Sequence, residues 1–146
     1  MKKIIAAVLG ATFFICLGFE ALYQEKENTG AVYIQTTNKP ITFSVEKATT
    51  QKAREQGLMN RHDLAEDAGM LFIFKRPQMV RMWMKDTYIP LDMIFINKGK
   101  IVSIHENAKP LDETIISSKA LSTAVLEVNA GTVNKYNIHI GDKIRF

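Results

Sequence analysis

Cysteine is almost absent from this chain. Cys16 is the only cysteine among 146 residues, and it lies in an N-terminal segment typical of a secretion signal. Removal of that segment leaves no thiol, so we expect a domain that folds on its hydrophobic core alone, without a disulfide. The remaining length, about 125 residues, is enough for one such core and favours a single domain.

Sequence signatures of catalysis and of cofactor binding are also missing. No serine stands in a Gly-x-Ser-x-Gly motif, and no glycine-rich phosphate loop occurs. His62, His105 and His139 are too far apart in sequence for a zinc site of close ligand spacing. We therefore expect no cofactor. Whether the protein is an enzyme stays open, with a non-enzymatic role favoured.

Positive charge is in small excess over negative charge in this chain. The chain has 19 basic and 15 acidic residues, a net charge of +4. Without Lys2 and Lys3, 17 basic residues remain against 15 acidic ones, and they are scattered along the chain. This distribution lacks the basic stripe of nucleic-acid-binding proteins. We expect a monomer whose partner is a small molecule or an envelope protein, and no nucleic acid.

The N-terminal segment is typical of an export signal. Lys2 and Lys3 precede an apolar run over residues 4–17, shorter than the roughly 18 residues of a membrane-spanning helix. Cleavage after Gly18 would define a signal peptide of residues 1–18, with lipidation at Cys16 and an uncleaved anchor as alternatives. The expected location is the periplasm or the cell surface. We expect the protein to contact the membrane only if the N-terminal segment stays uncleaved.

Hydrophobic patterning predicts a mainly β domain over residues 40–146, after a flexible linker over residues 19–39. Ile41, Phe43 and Val45 alternate with polar residues, which is the period of a half-buried strand. Further short strands follow, with two short helices near residues 51–56 and 133–136 and a hairpin turn at residues 97–100. The expected architecture is a jelly-roll-like sandwich or a small closed barrel.

A polar and aromatic cluster is the leading candidate for a binding site. Trp83 and Lys85 share one face of a predicted strand, and Asp86 and Thr87 lead the following loop. Asp92 stands at the entry to the most apolar strand, where a carboxylate is costly unless it is paired. Two interpretations stay open. These polar residues either stabilise the turn and the strand entry, or they line a small pocket.

Glu127 is a second anomaly, because it interrupts the apolar strand predicted over residues 123–128. It either faces solvent or points inward. An inward Glu127 beside Asp92 would form an acid–base pair, as in a hydrolase or lyase acting on envelope glycans. Asp92 and Glu127 are therefore the candidate catalytic residues of an alternative function.

Methionine supplies a third candidate site. Met79, Met82 and Met84 bracket Trp83, and thioether sulfur is a ligand suited to Cu(I). Met82 and Met84 also share a strand face with Val80, where core packing is expected instead. Periplasmic copper binding therefore ranks third, after a binding module and a carboxylate enzyme.

Several segments carry a resemblance that extends over about residues 41–146. They are Gly57–Arg61, Gly69–Phe74, Trp83–Thr87, Pro90–Asp92, Leu126–Gly131 and Ile138–Asp142. In order and spacing they resemble the exported and archaeal proteins grouped as domain of unknown function 192. The resemblance implies a compact jelly-roll-like β fold, commonly behind a signal peptide, and it implies no activity.

The motif of that family maps onto six residues of this chain: Arg61, Trp83, Lys85, Thr87, Asp92 and Glu127. The resemblance marks them as candidates for a site or for maintaining the fold, without choosing between the two. One departure is Asp86, where the family more often has asparagine, so a metal-binding or acid role does not follow for it. With Asp86 added and Glu127 set aside, these are the candidate binding residues.

Overall fold

The strands of this protein close into a barrel. The computed structural model describes residues 28–146, and within them seven strands pair in the closed order β1-β2-β3-β8-β5-β6-β9, while β4 and β7 form a separate two-stranded sheet. The elements are β1 Thr29–Gln35, β2 Pro40–Ala48, α1 Gln51–Gln56, β3 Ala68–Gln78, β4 Arg81–Met82, β5 Leu91–Asn97, β6 Lys100–Ala108, β7 Ile116–Ser117, β8 Ser122–Asn129, α2 Thr132–Tyr136 and β9 Lys143–Arg145. The predicted mainly β class is confirmed, and of the two expected architectures the small closed barrel is the one found.

Most neighbouring barrel strands run antiparallel, but β2 and β3 are parallel. Parallel strands need a crossover connection, and here α1 and the loop after it make that connection outside the barrel. The crossover places α1 beside the outer surface of β3, where the candidate site lies. Among the described residues, no helix is long and apolar enough to cross a bilayer.

The start of the domain corrects a sequence prediction. Residues 29–35, within the predicted linker, form β1 and pair with both β2 and β9. Val32 and Ile34 of this strand are buried in the barrel. Two strongly apolar residues in a short segment give a weak sequence signal, and pairing on both edges makes the segment a strand. The predicted signal peptide at residues 1–18, and linker residues 19–27, lie outside the described residues.

Apolar side chains pack on both sides of the barrel wall. The inner core receives side chains from all seven barrel strands, among them Phe43, Leu71 and Leu126. The outer core includes Phe72 and Phe95 and is covered by the segments that carry β4 and β7. Burying each of these side chains contributes about 1.5–3 kcal/mol. Successive residues of one strand alternate between the two cores, because strand side chains alternate in direction.

Local signals for turns and caps are confirmed. The hydroxyl of Thr50 accepts a hydrogen bond from the Ala53 amide at 3.1 Å and so caps α1. Gly57 ends this helix with a φ of +46°. Lys98 and Gly99 form the two-residue hairpin turn between β5 and β6, with φ of +48° and +70°.

The strand predicted from Val80 to Met84 is shorter in the structure, where β4 comprises two residues. The side chains nevertheless alternate as expected, with Val80, Met82 and Met84 buried in the outer core. The predicted long connection over residues 107–121 also contains β7, the partner of β4. Both strands are too short to carry a clear period of their own.

Candidate functional site

A pocket of about 190 Å³ lies against the outer face of the barrel, between α1 and β4. Its walls are mostly apolar and aromatic: Leu58, Met59, Phe72, Phe74, Met82 and Trp83. Its polar lining includes Arg54 and Glu55 from α1, Arg81 from β4 and Glu127 from β8. We call this space the Glu127 pocket.

The α1 side of the pocket is fixed by backbone contacts. One terminal nitrogen of Arg54 donates to the carbonyls of Thr49 at 2.6 Å and Ile73 at 3.0 Å. The guanidinium also lies 5.2 Å from the centre of the Phe74 ring, within cation–π range. A Cβ atom at Gly57 would lie 3.1 Å from the Phe72 ring. Glycine therefore allows the end of α1 to pack closely on β3.

Glu127 is the chemically unusual residue of the pocket. It is 4% exposed, and it lies opposite Met70 of β3 and Met93 of β5, both in the outer core. Burial in these apolar surroundings raises the pKa of Glu127 from 4.5 to about 8. At neutral pH the carboxyl group is therefore mostly un-ionised. It presents one O–H donor and one carbonyl acceptor to the pocket.

Two of the candidate binding residues, Trp83 and Thr87, line this pocket. Trp83 is 42% exposed and forms its rim. Thr87 is buried, and its hydroxyl donates to the carbonyl of Lys85 at 3.0 Å. The Lys85 ammonium lies 5.8 Å from the Trp83 ring, so Lys85 packs beside the rim and is not part of the lining.

Asp86 serves the turn and not the pocket. It is exposed, it adopts a φ of +50°, and its carbonyl accepts from the Asn60 amide at 2.7 Å. Asparagine and aspartate tolerate this left-handed conformation better than other non-glycine residues.

Asp92 lies away from the Trp83 face, which corrects its place among the expected pocket residues. It is completely buried, and its two oxygens accept from the backbone amides of Asn107 and Val133, each at 2.9 Å. It joins the end of β6 to the first turn of α2. These bonds satisfy the buried carboxylate and correspond to the structural interpretation of Asp92.

Asp92 and Glu127 face opposite sides of the barrel wall. Asp92 lies opposite Val128, an inner-core residue, whereas Glu127 lies opposite Met93 of the outer core. Residues paired across antiparallel strands point to the same face, so the two carboxyl groups point apart. The expected acid–base pair between Asp92 and Glu127 is therefore not formed.

Arg61 also lies outside the pocket lining. Its two terminal nitrogens donate to the two carboxylate oxygens of Glu46, each at 2.5 Å. Asn129 holds the same loop by donating from its side chain to the carbonyl of Leu64 at 2.9 Å. The loop after α1 is therefore anchored to β2 and β8, and Arg61 acts in that anchoring.

The methionine candidates do not share one environment. Met84 is completely buried and Met82 nearly so, both in the outer core, whereas Met79 is 52% exposed. Packing accounts for Met82 and Met84. Across residues 28–146 there is no group of three or more His, Cys, Asp or Glu side chains suited to a metal ion.

Sequence reasoning overlooked Arg54, Arg81, Phe72 and Phe74 as site residues. Arg81 had a usable signal, because it alternates with Trp83 on the face opposite the buried methionines. Arg54 had none, since its place depends on how the crossover packs α1 against β3. The apolar strand around Glu127 was the clearest sequence signal for the pocket.

The part of the chain that matches a known family is nearly the same as the part that forms the barrel. The DUF192 family, whose description reads “Uncharacterized ACR”, matches residues 32–146. The chain belongs to the DUF192 family. The match covers the barrel from within β1 to the C-terminal residue, and it confirms the resemblance carried by the sequence motifs. No curated protein matches this chain significantly.

Two solved structures resemble this DUF192 protein closely. A protein from Sinorhizobium meliloti, described as a candidate transcription regulator, is 45% identical, with a TM-score of 0.78; the match covers 80% of this chain and 92% of that one. A protein of unknown function from Novosphingobium aromaticivorans is 35% identical, with a TM-score of 0.79, covering 81% and 85%. Both sources are bacteria, so the archaeal association is not borne out.

Proposed function

We propose that this DUF192 protein is an exported, non-enzymatic module of the cell envelope that binds a small molecule in the Glu127 pocket. The observation that carries the proposal is the carboxyl group of Glu127, buried in the lining of a mostly apolar cavity, where burial raises its pKa. Ligand sites typically combine apolar walls with a few placed polar groups. Since about 190 Å³ is below the usual range of drug-sized sites, the ligand is small.

The proposed binding site is the Glu127 pocket and not the whole polar and aromatic cluster around Trp83 that the sequence indicated. Trp83 and Thr87 keep their place in it, Lys85 supports the rim, and Asp92 belongs to the barrel interior. Asp92 faces the other side of the barrel wall, so the Asp92–Glu127 pair on which the hydrolase or lyase alternative rested is not in the pocket.

Export is supported by the N-terminal sequence. Lys2 and Lys3 precede the apolar run of residues 4–17, the pattern of a signal peptide. Regulation of transcription, the role described for the S. meliloti relative, has less support here. The basic residues are scattered and nearly balanced by acidic ones, without a stripe suited to phosphate contacts.

Native mass spectrometry of the full chain, recovered gently from the cells that produce it, tests this proposal. We expect the wild-type protein to carry a bound organic mass, and Glu127→Leu to lose it because leucine fills the space without hydrogen bonding. Ile140→Ala, at a residue 65% exposed and outside the pocket lining, should keep it. A mass retained in Glu127→Leu would contradict a ligand site at this pocket, and a wild-type protein without any bound mass would contradict tight binding there.

A further inference from the structure

The charged groups of the Glu127 pocket are unequal in sign. Its lining has the guanidinium groups of Arg54 and Arg81 and the carboxylate of Glu55. Glu127 adds no charge at neutral pH because burial raises its pKa to about 8. The lining therefore has two positive groups and one negative group, which favours a ligand of negative charge.

The two arginines are not equally available to a ligand. Arg54 already donates to two backbone carbonyls and stacks near Phe74. Arg81 is exposed on β4 beside the Trp83 rim, and it takes part in neither ion pair found within residues 28–146. The guanidinium group of Arg81 is therefore the available anchor for an anion at the open side of the pocket.

The buried part of the pocket offers neutral hydrogen bonding. Glu127 is 4% exposed, so it lies deeper than Arg81 and the half-exposed Trp83. Phe72, Phe74 and Trp83 supply aromatic surface in the same lining. A matching ligand has a negative group, an apolar middle and a neutral hydrogen-bonding group at its far end.

We propose that the pocket binds a small monocarboxylate whose carboxylate meets Arg81 and whose far end, a hydroxyl or carbonyl group, hydrogen-bonds to Glu127. This inference rests on the proposed binding function and names the ligand class. The apolar middle of the ligand lies against the three aromatic side chains. An aromatic or short aliphatic acid with a terminal hydroxyl group satisfies all three requirements.

Ionisation of Glu127 weakens binding of such an anion. The charged groups in the lining around Glu127 are Arg54, Glu55 and Arg81, while its neighbours on β3 and β5 are the uncharged Met70 and Met93. Glu127 ionises as the pH rises through about 8, and its negative form repels the carboxylate of the ligand.

Fluorescence of Trp83, the only tryptophan of the chain, reports on this pocket directly. We would titrate the full chain with 4-(hydroxymethyl)benzoate, the neutral benzene-1,4-dimethanol and the cationic 4-(hydroxymethyl)benzylamine. The three probes share a 4-(hydroxymethyl)phenyl part and carry a carboxylate, a hydroxymethyl group or an aminomethyl group at the other end. At about pH 6.5 the carboxylate should bind at least about tenfold more tightly than the alcohol, and the amine more weakly still.

Variants separate the two ends of the ligand. Arg81→Gln should reduce the affinity for the carboxylate to that for the alcohol, whereas Arg145→Gln, on β9 and outside the pocket lining, should not. Raising the pH to about 9 should weaken carboxylate binding at least about fivefold in the wild type. Glu127→Gln should bind equally at both pH values, because the amide keeps a donor and an acceptor and does not ionise.

The outcomes distinguish this inference from the function on which it rests. Equal binding of the alcohol or the amine, or an unchanged affinity in Arg81→Gln, would overturn the monocarboxylate class and leave the binding function standing. Absence of binding by all three probes, together with a bound mass in the wild-type protein, would do the same. Absence of any bound mass and of any probe binding would overturn both.

Discussion

Replacement of Glu127 by glutamine should change how stability depends on pH. The pKa of Glu127 is about 8 in the folded protein and 4.5 is its ordinary value. Between these pH values the unfolded chain loses a proton that the folded protein keeps, so stability falls as the pH rises. A pKa difference of this size corresponds to about 4–5 kcal/mol over the whole window, at about 1.4 kcal/mol per unit.

The sign of this effect follows from the raised pKa. Below about pH 4.5 the carboxyl group is protonated in both states and contributes no pH dependence; above about pH 8 it is ionised in both, and the loss is complete. At pH 7 the free energy of unfolding of the wild-type protein is therefore about 3 kcal/mol lower than at pH 4.5 because of this one group. Glutamine does not ionise and so adds no pH dependence, and it retains the shape and the hydrogen-bonding groups of the neutral acid.

Urea unfolding of both proteins from about pH 4.5 to 9 measures the difference. The other titrating groups are common to both proteins and cancel in the subtraction. The advantage of Glu127→Gln should grow by several kcal/mol toward high pH and then level off, which shifts the urea midpoint by roughly 2 M. A difference that stays constant with pH would refute the reasoning, because Glu127 would then be ionised in the folded protein.

Three further substitutions test the framework around the pocket. Asp92→Asn should cost about 2–3 kcal/mol in urea unfolding, because the amide nitrogen would face a backbone donor, whereas Asp112→Asn at an exposed turn should have little effect. Gly69→Ala should cost about 1–3 kcal/mol in thermal unfolding, since its Cβ would lie 2.6 Å from a β8 carbonyl oxygen; unchanged stability would show that the strands can separate. A double-mutant cycle of Arg61→Gln and Glu46→Gln should give a coupling of about 1 kcal/mol or less, because their side chains are 39% and 46% exposed; a much larger value would contradict this exposure.

Strand periodicity predicted much of the barrel wall, because burial on one face imposes a period of two. Ile41, Phe43 and Val45 show this pattern, and all three are buried in the inner core. The sequence alone did not decide between a sandwich and a closed barrel. Closure depends on pairing between β1 and β9, which lie at opposite ends of the described chain, and β1 has only two strongly apolar positions to predict it. Long-range pairing, and not local preference, decides between a sandwich and a barrel.

The candidate site was only partly predictable for a related reason. Asp92 and Glu127 are both anomalies in apolar strands, and sequence alone gives them equal weight. The register between β5 and β8 separates them, because Asp92 lies opposite Val128 and Glu127 opposite Met93. A shift of one residue would place both carboxyl groups on one face. Register is set by the whole sheet, so the chemistry of the pocket follows from the fold.

The protonation state of Glu127 is the most direct test of this account. We would follow the side-chain carboxyl ¹³C signal of Glu127 by NMR as a function of pH, with Glu127→Gln identifying the signal by its loss. We expect a titration midpoint of about 8 for the Glu127 carboxyl group. A midpoint near 4.5 would show a charged, hydrated carboxylate. That result would contradict the neutral hydrogen-bonding group on which the proposed ligand site depends.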